Sequence, residues 1–139
     1  MSSWTRRSAG ESGAAAVEFA VVLPVFVALL LGIVDFGWFF FHEVTIANAA
    51  REGARTGVTH APGDAEDGIT AAVARAREYL ETSGVSCGET CSVVATDVGT
   101  SPELLLEVTI QYPYTPLVGF IPTPAQIEAR SSMRYEVQF

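Results

Sequence analysis

Few residues in this chain have chemistry to offer. Glu18 stands in "SGAAAVEFAVVLP", at the entrance of the longest apolar run, and Asp35 follows seventeen positions later, near its far end. A carboxylate at the centre of a membrane helix costs ~2.5–3.5 kcal/mol, and less at the edge, so each acid needs a partner or a favourable depth. A cut after Gly13 would turn Ala14 into a free amine with Glu18 four positions on, on the same helical face. There the ammonium and the carboxylate could neutralise each other, within or between chains. The other reading makes Glu18 an ordinary flanking charge that snorkels to the membrane surface, and residue types alone leave both open. Cys87 and Cys91 bracket a turn-like "GET". Such a pair is a disulfide in an exported domain, and a metal half-site or two idle thiols in the cytosol.

Those groups must be positioned by 139 residues, a length that suggests one domain. The formal net charge is -8, Lys is absent, and the eight basic residues are scattered Arg. Phosphate recognition needs clustered cations, so no nucleic-acid partner is expected. "HEVTI" lacks the second His of a zinc-protease helix, and neither a G-x-S-x-G elbow nor a phosphate-cradling Gly loop is present. The chain therefore reads as no enzyme, with no cofactor and no small-molecule substrate.

From Phe19 to Val34 the sequence carries no charge, and after Asp35 "FGWFFF" extends the apolar character to Phe41. A spanning helix needs about 20 apolar residues for a hydrocarbon core of roughly 30 Å. Glu18 and Asp35 would lie ~26 Å apart along such a helix, near opposite edges of the bilayer. The run is longer than the apolar region of a cleaved signal peptide and has no polar face, so it reads as a transmembrane helix over 14–41. Trp38 and the Phe cluster suit an interfacial belt. Arg6 and Arg7 before the span are matched by Arg51 and Arg55 after it, so charge bias does not orient it. The short N-terminal tail and the paired Cys place the N-terminus in the cytoplasm and the C-terminal domain outside. Pro24 removes one helical hydrogen bond inside the span and predicts a kink or loosened turn there.

Beyond the membrane the helix continues over 42–60, with Ile46, Ala50, Gly53 and Gly57 on one stripe whose small residues permit close approach of another backbone. Arg51, Glu52 and Arg55 read as a solvated face. Pro62-Gly63 break the helix, Asp67 is a candidate N-cap, and a second helix is predicted from Ile69 to Leu80. Its Ile69, Ala72, Val73, Ala76 and Leu80 face inward, and Arg75, Arg77, Glu78 and Glu81 face water. Strands follow at 92–98, 104–112 and 127–139. In the second, Leu104, Leu106, Val108, Ile110 and Tyr112 alternate with Glu107, Thr109 and Gln111, and the third runs through Val137 and Phe139 in the same way. One-sided alternation means an antiparallel sheet with one wet face. The Pro-rich "YPYTPLVGFIPTP" is expected to fold its apolar residues back onto the core. The fold class is α+β: a long N-terminal transmembrane helix running into a small domain over 61–139, with a second helix and a three-stranded antiparallel sheet. Given export, Cys87 and Cys91 are expected to be bonded, closing a loop worth roughly 2 kcal/mol in the chain-entropy model. A zinc site would need two further ligands, and His42 and His60 are remote in sequence, so no metal is expected.

"G-AAAVEF" resembles a prepilin cleavage motif, with Gly13 before the cut, Glu18 fifth in the mature chain and Phe19 sixth. With Leu23-Pro24 in the apolar helix, Asp35 near its end and "AREGAR" at 50–55, the ordered set resembles the TadE-like family of minor pseudopilins of the tight-adherence (Tad, or Flp) pilus system. The resemblance implies a leader over 1–13, cleavage between Gly13 and Ala14 by a prepilin peptidase, and a pilin-like soluble domain. It gives Glu18 and Phe19 a role in processing or in register between packed subunits. The implied partners are that peptidase, other pilins and pseudopilins, the membrane platform of the machinery and the lipid bilayer. The implied location is the cytoplasmic membrane, and the pilus after processing. The other function in view is an unprocessed single-pass scaffold of the cell envelope.

Overall fold

The computed structural model describes residues 9–60, 65–100 and 103–135. Helix α1 (Ala9–Gly57) is 49 residues long, ~74 Å at 1.5 Å per residue. Nothing in its sequence breaks it: the apolar run favours helix in a membrane, and it passes without interruption through Pro24. It ends at Gly57, with Arg55 in the last turn, three residues short of the expected end at 60. Helix α2 (Ala65–Thr82) starts earlier than its apolar pattern suggests, because Glu66 and Asp67 occupy the first turn, where acids complement the helix N-terminus. Strands β1 (Ser92–Val98), β2 (Leu105–Pro113) and β3 (Gln126–Arg134) form an antiparallel sheet in the order β1-β2-β3. The third strand ends at Arg134, before Tyr135; the rest of its sequence-predicted course, 136–139, and the turn at Pro62-Gly63 lie outside the described residues.

The lower half of α1 and the face of α2 cover one side of this sheet. Ile46, Ala49, Ala50 and Ala54 of α1, Ala72, Ala76 and Leu80 of α2, and Leu106, Val108 and Ile110 of β2 are fully buried together. Ile127 of β3 and Tyr135 just past its end close the core, and the Tyr135 hydroxyl donates to Asp97 Oδ1 at 2.8 Å, tying the chain after β3 to β1. Burial, then the Asp97 carboxylate, pushes the Tyr135 phenol up to about 12.

Two glycines set how closely α1 approaches α2. A Cβ at Gly53 would sit 2.7 Å from the Ala72 carbonyl oxygen. At Gly57 it would run into the Leu106 side chain and lie 2.9 Å from both the Ala72 Cβ and the Gly68 oxygen. The small-residue stripe thus packs against the chain's own domain. The charged residues beside it are not simply solvated. Half-buried Glu52 accepts from Arg55 Nη2 at 2.9 Å and Arg75 Nη2 at 3.1 Å, pinning α1 to α2, and Arg75 also reaches Glu78 at 3.1 Å. Hydrogen bonds from Arg55, then Arg75, hold the Glu52 carboxyl down at about 2.

Gly57→Val should destabilise the domain by about 1–3 kcal/mol through overpacking, read as a lower midpoint in thermal unfolding of the detergent-solubilised chain. The Glu52 contribution is present above the ordinary glutamate value of 4.5 and is lost as pH falls through it towards about 2. Glu52→Gln should therefore lower stability by less than about 1 kcal/mol at neutral pH, and the gap to the unsubstituted chain should close in unfolding curves recorded near pH 2.

Candidate functional site

The residues singled out for processing lie on bare helix. Gly13, Ala14, Glu18 and Phe19 are all exposed on α1, and nothing lies within 4 Å of a Cβ built at Gly13. Ala14 and Glu18 are separated by one helical turn. The exposure continues: Val17, Val21, Val25, Leu29 and Ile33 each leave more than half of their surface uncovered. A helix this apolar and this uncovered is long enough to cross a membrane, in keeping with a single-pass membrane protein.

Asp35 departs from that pattern. It is fully buried, although its helical neighbours Val34 and Phe36 are exposed. The chain between β2 and β3 covers it. The Val118 N–H donates to Oδ1 at 2.8 Å and the Phe120 N–H donates to Oδ2 at 2.8 Å, so one carboxylate holds two amides of the same loop. Gly119 between them has φ +75°, a left-handed conformation that lets the amides on either side of it turn toward one anion. Next to this clamp, Phe39, His42, Tyr112 and Tyr114 pack edge to face or tilted, at ring separations of 5.3 to 5.6 Å. His42 is buried, with Nδ1 2.9 Å from the Trp38 carbonyl oxygen. Tyr114 is buried too, and desolvation, then the nearby Asp35, raises its phenol above the ordinary value.

Two sequence expectations change here. Asp35 is not an exposed flanking charge but the buried anchor of a loop. The loop, in turn, does not fold its apolar side chains onto the core: its backbone is held by Asp35 while Leu117, Val118 and Phe120 remain exposed. The physical reason is that two charge-assisted amide bonds fix the main chain, and the side chains then point where the main chain directs them. A buried acid in an apolar helix is a signal that some donor must come to it, but its sequence distance of more than 80 residues from Val118 hid which one. Cys87 and Cys91 are joined by a disulfide, with Cα atoms 5.2 Å apart, between α2 and β1. Among the described residues no cluster of three or more His, Cys, Asp or Glu could hold a metal ion.

Residues 13–55 match the family model described as TadE-like protein. The chain carries a TadE-like segment. No curated protein and no solved structure matches the chain. The TadE-like segment begins at Gly13 and takes in Glu18, Pro24, Asp35 and Glu52, which is to say the membrane-grade helix and most of its docking stripe. The loop that Asp35 holds, α2 and the sheet lie beyond it. The matched segment therefore supplies only one side of the clamp.

Removing that side should free the other. Asp35→Ala is expected to make the loop a substrate for chymotrypsin at Leu117 and Phe120 in the lipid-reconstituted chain, with the sheet left intact, whereas the unsubstituted loop resists. Equal cutting of both proteins, followed by mass spectrometry, would contradict the clamp.

Proposed function

We propose that the protein is a minor pseudopilin of the tight-adherence pilus system, made as a membrane precursor and trimmed by a prepilin peptidase between Gly13 and Ala14. One observation carries the reading: the TadE-like match starts at the very glycine where a prepilin cut would fall and runs along an exposed apolar helix. The long uncovered helix supports a subunit that is first held by lipid and later by other helices of an assembly. Its work is structural rather than catalytic: the small domain folds onto the lower half of α1, and the upper half is left for membrane or subunits.

On this reading Gly13 fits the peptidase, Ala14 becomes the new N-terminal amine, and Glu18 meets that amine or the amine of a neighbouring subunit. Phe19 supports the register of packing beside it. The N-terminus faces the cytoplasm, the domain lies outside the cytoplasmic membrane, and the partners are the peptidase, other pilins and the assembly platform.

Intact mass of the protein isolated from cells that contain the peptidase decides between this and an unprocessed envelope scaffold. A chain starting at Ala14, with Gly13→Arg leaving the leader attached, is the expected result. A full-length chain under the same conditions would overturn the proposal. Glu18→Ala separates the two tasks of the acid: lost trimming assigns it to processing, and normal trimming with failed pilus assembly assigns it to packing.

A further inference from the structure

We propose that the loop from Thr115 to Pro124 is a second membrane-contacting element, whose tip inserts beside α1 into the lipid of the leaflet on the domain's side. The inference rests on the reading of α1 as a membrane-spanning helix, and adds to it a lipid contact made by the soluble domain.

Three observations carry it. The first is depth. The Val118 and Phe120 amides are held at Asp35, and Ile121 reaches further into the span, its Cδ1 3.3 Å from where a Cβ on Gly32 would be. The apolar run of α1 continues six residues past Asp35 to Phe41, ~9 Å along the axis. A loop fixed at the level of Gly32 and Asp35 thus lies inside the apolar zone if that run is in lipid. The second is composition. The stretch 113–125 contains no charged residue, and Leu117, Val118 and Phe120 are 59, 48 and 55% exposed. Phe120 and Ile121 continue the uncovered surface of Val25, Leu29 and Phe36, with which they line one shallow groove.

The third is the backbone. Each N–H group of irregular chain that is satisfied within the protein, or absent, lowers the cost of entering a hydrocarbon region. Pro113, Pro116, Pro122 and Pro124 have no N–H to satisfy, the Tyr114 amide bonds the Ala125 oxygen, and Asp35 takes the Val118 and Phe120 amides. Asp35 and the Val118 and Phe120 amides thus offset part of each other's cost of leaving water at the tip of the loop. Lipid is the occupant these observations favour, because the tip is continuous with the lipid-facing surface of the helix and carries nothing that would recognise a polar partner.

The full chain, with Trp4→Phe and Trp38→Phe as background, can be reconstituted in vesicles of phosphatidylcholine brominated along the acyl chains. Phe120→Trp places a reporter at the tip, and Leu29→Trp places one in the span. The expected result is that both reporters lose most of their emission to the brominated lipid and little to aqueous iodide. Quenching at 120 by iodide alone, with position 29 quenched by lipid, overturns loop insertion and leaves the spanning helix standing. Iodide quenching at both positions overturns both. If neither quencher reaches position 120 while position 29 is quenched by lipid, the tip is covered by another subunit and the lipid proposal fails. Leu117→Trp repeats the tip measurement from a different side chain, so that a local disturbance at 120 cannot decide the outcome.

Discussion

A single carboxylate sets the geometry of this molecule. Asp35 stands in a helix whose neighbouring side chains are apolar and uncovered, and it is itself entirely buried, with a loop amide on each oxygen. Left unpaired, a buried acid would cost several kcal/mol, so the helix and the loop are each incomplete without the other. That contact joins the apolar half of α1 to a domain whose sheet lies against its lower half. It thereby fixes how the domain sits along the helix.

The lower contact works by different physics. Below His42 the helix presents Ile46, Ala49, Ala50, Gly53, Ala54 and Gly57, small side chains that bring α2 and β2 to backbone distance. The bond from Arg75 to Glu52 adds an orienting contact at the edge of that packing, exposed enough that its share of stability is modest. A small domain of this kind has little core of its own, and the helix supplies one wall of it. The disulfide between Cys87 and Cys91 tightens the connection into β1 on the far side of α2. One long helix therefore serves two masters: its apolar upper part suits lipid or other helices, and its small-residue lower part is the floor of the domain.

Much of this was legible in the sequence, and the reasons are specific. Alternation from Leu104 to Tyr112 revealed the central strand because one face of a sheet is buried and the other wet. The stripe through Gly53 and Gly57 revealed a packing face because two glycines at helical spacing lower helix stability and, in line with Ile46 and Ala50, make room for another backbone. The unbroken apolar run announced the long helix. The Asp35 clamp was not legible, because hydrogen bonds between a side chain and backbone amides more than 80 positions away leave no periodic trace. Glu52 was misread for a related reason: its i+3 partner Arg55 makes it look like an ordinary surface pair, and Arg75 comes to it only through the packing of α2. The loop was misjudged because apolar side chains in a Pro-rich stretch fit a core and a lipid surface equally well.

Hydrogen exchange of the unsubstituted full chain in lipid nanodiscs tests the clamp most directly. The amides of Val118 and Phe120 should exchange as slowly as those of the central strand, although they lie in irregular chain. Exchange of both at the rate of an open loop would mean that Asp35 does not hold them, and the placement of the domain against the helix would have to be explained another way.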